Sequence, residues 1–136
     1  ARADSEQVEY PNKISLFGGV TQEDSDLDGT IAFEYERLLN KHLGIGVVIS
    51  EFTRGSVERS WLIAVPAFIH PYAGSYLVLG PGVEFEGSES IFIFRAGVGY
   101  DFEFLPRWSI APELNVDFVS GGETKLVYGL ALSYSF

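Results

Sequence analysis

The chain has no cysteine, which excludes a disulfide framework, a thiolate metal site and a cysteine nucleophile. It also has no apolar run of the roughly 18 residues that a transmembrane helix requires. Basic residues are scarce, 9 against 19 acidic ones, and the net charge of -10 argues against a nucleic acid partner because the phosphates would be repelled. No basic and apolar signal peptide opens the chain, so we expect residues 1–136 to be one mature domain.

What the sequence does contain is a regular alternation of side chains over residues 126–136. Large apolar residues occupy every second position: Leu126, Tyr128, Leu130, Leu132, Tyr134 and Phe136. The positions between them are mostly small or polar. A period of two is typical of a β-strand with two different faces. The length fits a strand of about 9 to 11 residues tilted across a bilayer.

The same alternation, read together with turn signals, predicts eight strands. We place them at about 13–21, 30–39, 43–53, 60–70, 75–86, 90–104, 108–119 and 124–136. The connections 40–42, 71–74 and 105–107 are compact, whereas 22–29, 54–59, 87–89 and 120–123 are polar or acidic. An even number of strands puts both termini at the end with the compact turns. The predicted fold class is therefore all-β, an eight-stranded antiparallel up-and-down transmembrane barrel.

The two faces of each strand differ in side-chain size and polarity, and this difference indicates which face meets lipid and which lines the interior. In the seventh strand, for example, Ile110 and Leu114 share one face and Asp117 lies on the other. An eight-stranded barrel is only wide enough inside for side chains or one small ligand. We therefore expect the large residues to form a lipid-facing band about 25 Å tall, around an interior closed by small and polar residues. Three prolines would each remove a ladder donor, and we expect all of them at bulges or strand ends: Pro66, Pro81 and Pro112.

The end of the chain resembles the C-terminal assembly signal of bacterial outer-membrane proteins. Phe136 is the terminal aromatic, and Tyr128, Leu130, Leu132 and Tyr134 precede it at alternating positions, with Ala131 where that signal commonly has glycine. As a whole the chain resembles the small OmpA/OmpX-like barrels. The resemblance implies a bacterial outer-membrane location with both termini, including a short segment 1–12, in the periplasm. The implied partners are the lipid bilayer, lipopolysaccharide and the assembly machinery during insertion.

Charged residues at inward positions predict a polar network inside the barrel. If the turns around Pro106 and Gly121-Gly122 set the register, Arg95 lies near Asp117, and Asp117 lies near Lys125. Charges removed from water need partners, so we predict ion pairs that plug the interior. The predicted members of this network are Glu34, Glu84, Arg95, Asp101, Glu113, Asp117 and Lys125.

An acidic motif in the first connection matches half of a calcium-binding loop. Asp24, Asp26 and Asp28 alternate and Gly29 follows, but the twelfth position is Tyr35 and not the bidentate glutamate. Two interpretations stay open, a weak calcium site at the three aspartates or an acidic hairpin loop closed by Asp28-Gly29. The residues favour the hairpin loop, and no other cofactor is predicted.

The sequence does not indicate a catalytic site. Small barrels that act as lipid A acyltransferases or deacylases employ His and Ser near the outer surface, but His42 and His70 lie at the predicted periplasmic end. The chain is therefore predicted not to be an enzyme. The aromatic residues expected to anchor it at the membrane interfaces are Trp61, Trp108, Tyr100 and Phe102.

Together these observations predict a non-enzymatic integral outer-membrane protein with a plugged polar interior. Its predicted role is structural, envelope-stabilising or one of surface interaction. The alternative is a narrow pore or a conduit for a small hydrophobic ligand, with a lateral opening at the proline breaks.

Overall fold

The structure, a computed structural model, describes residues 10–23, 26–54, 58–72, 74–86 and 88–136. It is a single antiparallel sheet that curls into a barrel of eight strands, of which the fourth and the sixth are each interrupted once. In chain order the strands are Asn12–Glu23, Asp26–Leu38, Leu43–Arg54, Glu58–Ala64 with Ala67–Ile69, Ser75–Glu86, Glu89–Tyr100 with Phe102–Leu105, Trp108–Val119 and Glu123–Ser135. No helix among these residues is long and apolar enough to span a membrane.

The first strand closes the barrel against the last one. Ile14 lies opposite Tyr134 and Gln22 lies opposite Leu126, in a continuous antiparallel register. All other paired strands are consecutive along the chain, so the connectivity is up-and-down. Closure gives each strand two neighbours, which satisfies the backbone groups that an open sheet would leave at its edges. The predicted fold class is confirmed.

The first strand begins and the last strand finishes at the same end of the barrel, where Asn12 and Phe136 exchange two backbone hydrogen bonds. We call this the terminal end and the opposite one the distal end. The first distal connection is shorter than predicted, because the strands run on to Glu23 and resume at Asp26. The pairing continues to Glu23 opposite Asp26, and the Thr21 and Thr30 hydroxyl groups hydrogen-bond at 2.5 Å across this part of the hairpin inside the barrel. The prediction of a loop over residues 22–29 is therefore wrong.

The two faces of the strands divide as the alternation predicts. Large apolar side chains point outward and are exposed along whole strands, as Ile110, Leu114 and Phe118 are in the seventh. The inner face is less polar than we expected, because it also holds a group of apolar residues contributed largely by the third, fourth and fifth strands. The larger members of that buried group are Phe17, Val48, Leu62, Phe68, Tyr76, Val78 and Ile93.

The three prolines only partly follow the prediction. Pro66 does interrupt the fourth strand, but Pro81 and Pro112 lie within continuous strands, where a bulge or strand end was expected. Each of these two faces the interruption in a neighbouring strand. The Val65 N–H donates to the Pro81 carbonyl at 2.9 Å, and Pro81 has no N–H to return. The ladder absorbs two prolines within strands because the missing bonds fall at the breaks next to them.

Candidate functional site

The barrel interior contains an ion pair between Arg95 of the sixth strand and Asp117 of the seventh. The two residues are directly opposite each other in the register. Arg95 Nε donates to Asp117 Oδ1 at 2.6 Å and Nη2 donates to Oδ2 at 2.8 Å. Their side chains are 3% and 0% exposed, so the pair is removed from bulk water. Two parallel hydrogen bonds of this kind fix geometry as well as charge.

A second set of polar contacts surrounds Glu113, which lies nearer the terminal end on the inner face of the seventh strand. Tyr76 Oη donates to Glu113 Oε1 at 2.7 Å, and Asn115 Nδ2 donates to Oε2 at 2.8 Å. Glu34 is also buried in the barrel. Tyr76 belongs to the fifth strand and Glu113 to the seventh, so the phenol reaches across the sixth strand. It can do so because Gly99 lies between them, where a Cβ atom would collide with the Tyr76 ring.

The terminal end of the interior holds a cluster of opposite charges. Lys13 Nζ lies 3.1 Å from Asp101 Oδ2 and 3.8 Å from Glu36 Oε1. The other Glu36 oxygen is 2.6 Å from His70 Nε2. Glu36 and His70 are on the second and fourth strands, and Gly44 of the third leaves the space through which the carboxylate reaches the imidazole.

The distal end of the interior is held by Lys125. Its register partner is Asp117, as the turn at Gly121-Gly122 implied. Its ammonium group instead lies 2.7 Å from Glu84 Oε2 and 3.7 Å from Glu23 Oε1. The expected proximity of Asp117 and Lys125 is confirmed by the register. The described ion-pair partners of Lys125 lie on other strands, Glu84 on the fifth and Glu23 on the first.

Six of the seven predicted network residues are buried inside the barrel, and Asp101 is partly buried at its terminal rim. They form contact groups along the barrel axis. The described residues of these groups that the predicted network did not include are Lys13, Glu23, Glu36, His70, Tyr76 and Asn115. Lys13 is on the inward parity of the first strand, and that parity was the available signal. For Tyr76 and His70 the signal was an inward glycine on the strand between two polar residues, as at Gly99 and Gly44.

On the outer face, the predicted interface aromatics lie at both ends of the barrel. Trp61 is exposed in the distal half, and Trp108, Tyr100 and Phe102 are exposed near the terminal end. The Tyr100 and Phe102 rings are 4.7 Å apart between centroids, and Trp108 lies 4.9 Å from the Tyr134 ring. The residues of the C-terminal signal face outward, with Phe136 44% exposed. Their roles as anchors and as a signal stay predictions.

The turn between the sixth and seventh strands holds Arg107 in an unusual conformation. Its φ is +71°, and it is the only described residue other than glycine with a positive φ. Such a backbone costs on the order of 1–3 kcal/mol. The guanidinium donates to Tyr134 Oη at 3.4 Å and to Tyr10 Oη at 3.2 Å, and these bonds raise the pKa of Arg107 above its ordinary value.

The acidic motif of the first connection does not form the loop that was considered. Asp28 and Gly29 belong to the second strand, and Asp28 is buried, so Gly29 makes no sharp turn there. Asp24 and the side chain of Asp26 lie outside the described residues. Within the part of the chain that the structure describes, no group of three acidic or histidine side chains is placed to hold a metal ion. The weak calcium site stays a prediction.

Comparison with known proteins shows the fold. No protein-family model matches the chain, and no curated protein sequence matches it. Neisserial surface protein A is similar with a TM-score of 0.72 at 7% identity, over 92% of this chain and 96% of that one. The N-terminal β-barrel domain of OprF from Pseudomonas aeruginosa gives 0.68 at 14%, over 90% and 96%. Ail, the attachment invasion locus protein of Yersinia pestis, gives 0.63 at 18%, over 94% and 99%.

These structures share an architecture with the chain at identities too low to carry function. The chain has the fold of the small eight-stranded outer-membrane β-barrels. The OmpA/OmpX-like class predicted from the sequence is confirmed at the level of fold.

Proposed function

We propose that the chain is a non-enzymatic integral protein of a bacterial outer membrane, whose interior is closed by its own side chains. The outer face of the barrel would contact the lipid bilayer, because every strand exposes large apolar side chains on that face. Both termini would lie in the periplasm. Lipopolysaccharide and the assembly machinery are the further partners that we infer from the C-terminal signal.

The observation that carries the plugged interior is the Arg95–Asp117 pair, which is buried inside the barrel. Elsewhere the lumen is occupied by Phe17, Val48 and Phe68, each at most 3% exposed. A water path along the lumen would have to displace these packed side chains or hydrate the buried pair, and separating two buried charges is strongly unfavourable. The proposed role is therefore structural or envelope-stabilising, or surface interaction through the distal end, and not conduction.

The positions of the two histidines support a non-enzymatic role. His42 and His70 are both at the terminal end, and the His70 ring is buried against Glu36. A nucleophilic site at the distal surface would need a base there.

Single-channel recording in planar bilayers tests the plugged interior. We expect the unaltered barrel to give no stable conductance steps. The double variant Arg95→Ala/Asp117→Ala removes the pair without leaving an unpaired charge, and it should give small steps if this pair is the barrier. Steps of equal size in both proteins would contradict the proposal and favour the narrow pore.

The alternative of a conduit for a small hydrophobic ligand rests on the ladder at Pro66 and Pro81. Neither proline has an N–H to donate, and the pairing of the fourth strand with the fifth is interrupted between Ala64 and Ala67, so a lateral opening would be expected at this seam. In the double variant Ile63→Cys/Val83→Cys, oxidation would form a disulfide between these register partners and link the fourth strand to the fifth beside the interruption. Uptake of a hydrophobic dye into liposomes that the barrel accelerates and the disulfide abolishes would support the conduit.

A further inference from the structure

An apolar groove of about 590 Å³ lies on the outer face of the barrel, across the sixth, seventh and eighth strands. Its lining includes Pro112, which is exposed on that face and lies opposite Leu130, midway along the last strand. The apolar side chains around it are all exposed on the same face, namely Val98, Tyr100, Leu114, Tyr128 and Leu130. The groove therefore lies at the depth of the lipid hydrocarbon if the barrel spans a bilayer as proposed.

Pro112 deprives one backbone carbonyl group beside the groove of its ladder donor. The Ser120 N–H donates to the Phe92 carbonyl at 2.9 Å, which shows that even-numbered positions of the seventh strand bond to the sixth. The register that joins these two strands, carried one residue past Gly99, places Pro112 opposite Tyr100. Proline has no N–H, so the Tyr100 carbonyl receives no hydrogen bond from the seventh strand.

The other neighbours of Tyr100 do not supply this bond. The Asp101 N–H donates to the Gly74 carbonyl at 2.7 Å, so odd-numbered positions of the sixth strand bond to the fifth strand and Tyr100 does not. Within the part of the chain that the structure describes, no side chain donates to the Tyr100 carbonyl. A backbone carbonyl without a donor is strongly unfavourable in hydrocarbon. An occupant of the groove that brings a donor is therefore favoured over one that does not.

The groove and the carbonyl together match one class of ligand. The exposed apolar side chains suit an aliphatic chain, and the Tyr100 carbonyl suits a single donor. An unsubstituted acyl chain has no donor to offer. A charged group, or one with several polar atoms, would leave the remaining polar atoms unsatisfied in hydrocarbon. A hydroxyl group has one O–H donor and fits this requirement.

We propose that this groove binds a hydroxylated lipid, whose hydroxyl group donates to the Tyr100 carbonyl and whose aliphatic chain lies along the groove. The inference rests on the membrane-spanning function proposed above. It differs from the conduit considered at Pro66 and Pro81, because the ligand stays on the outer face and neither enters nor crosses the lumen.

The test titrates the refolded, isotope-labelled barrel in micelles of dodecylphosphocholine, a detergent without hydrogen-bond donors. The probes are 1-dodecanol and its methyl ether, which has the same chain and no donor. The readout is the carbonyl carbon-13 resonance of Tyr100, observed through the Asp101 amide, together with the methyl resonances of Val98 and Leu130. We expect dodecanol to move the Tyr100 resonance to higher frequency. It should bind about three- to tenfold more tightly than the ether, since one neutral hydrogen bond distinguishes the two probes.

Pro112→Ala is the decisive variant, because it gives the seventh strand the N–H that the Tyr100 carbonyl lacks. The Tyr100 resonance should then lie at higher frequency without dodecanol, and dodecanol and the ether should bind equally. The matched control is Pro81→Ala, which adds an N–H opposite Val65 and outside the groove, and it should keep the preference for dodecanol. Val98→Phe reduces the space in the groove and should weaken binding of both probes.

Other results would overturn the proposal. Equal binding of dodecanol and the ether to the unaltered chain would make the groove a plain surface for acyl chains. A preference for dodecanol that persists in Pro112→Ala would show that the hydroxyl group donates elsewhere. A Tyr100 shift that appears without dodecanol and grows with protein concentration would assign the groove to a second copy of the chain.

Folding of each variant is checked first by its heat-modifiable migration. If the unaltered chain folds in micelles and binds dodecanol no more tightly than the ether, this inference alone is overturned. A chain that folds as a monomer in plain buffer overturns the proposed membrane function as well.

Discussion

Arg95 and Asp117 are opposite residues on adjacent strands, and they are joined by two hydrogen bonds of 2.6 and 2.8 Å inside the barrel. The two side chains are 3% and 0% exposed, so neither has appreciable contact with water. Neither partner can be changed alone without leaving a buried charge. This relationship makes the pair the natural place to measure how much the polar interior stabilises the fold.

The first prediction is that Arg95→Met destabilises the barrel by about 3–5 kcal/mol, because it leaves Asp117 buried without its counter-charge. Combining it with Asp117→Asn should recover part of the loss. The measurement is the urea unfolding midpoint in lipid vesicles. As a control, Glu84→Gln combined with Arg95→Met should add its own cost and recover nothing. A double variant with Asp117→Asn that is no more stable than Arg95→Met would show that the two residues are not energetically coupled.

The second prediction concerns the partner of Lys125, which the register and the side-chain contacts assign differently. Lys125→Met should be partly rescued by Glu84→Gln, since the ammonium lies 2.7 Å from Glu84. It should not be rescued by Asp117→Asn, although Asp117 is the register neighbour. Unfolding midpoints of the two double variants decide between them. If only Asp117→Asn rescued Lys125→Met, the energetically important partner of Lys125 would be Asp117 on the neighbouring strand and not Glu84 across the lumen.

The third prediction is that a charge on the outer face is tolerated only near the ends of the strands. Leu130→Arg places arginine midway along the last strand on a side chain that is 53% exposed, and it should cost about 2–4 kcal/mol. Thr124→Arg, on the same face of the same strand near its distal end, should cost about 0–1 kcal/mol. Refolding yield in vesicles of defined thickness measures both. Equal yields would contradict the lipid-facing assignment of this face.

The fourth prediction is that folding depends on lipid or detergent, because the outer band of apolar side chains has no protein covering it. The refolded chain should migrate differently in gels before and after boiling. Circular dichroism in plain buffer should lack the β-sheet signal of the refolded sample. A monomer that is folded in plain buffer would refute the membrane assignment.

The alternation of large and small residues predicted the strands well. The predicted seventh strand, 108–119, coincides with the observed Trp108–Val119, and Leu130 and Ala131 point to opposite sides as expected. The pattern failed where local rules compete with pairing. Gly29 looked like a turn residue, but it lies within the second strand opposite Val20, and the Thr21–Thr30 contact lies beside it. Pro112 looked like a strand end, but the gap it makes is accommodated by the break after Tyr100.

The sequence alone therefore determined the strand number, the two faces and the register of the last three strands, because a period of two and short turns are local properties of the chain. It placed Arg95 next to Asp117 for the same reason. Only the closed tertiary structure decided the contacts between strands that are not neighbours, such as Tyr76 with Glu113, His70 with Glu36 and Lys125 with Glu84. Those contacts depend on the curvature of the sheet and on which inward positions are glycine, and neither is visible until the first strand has met the last.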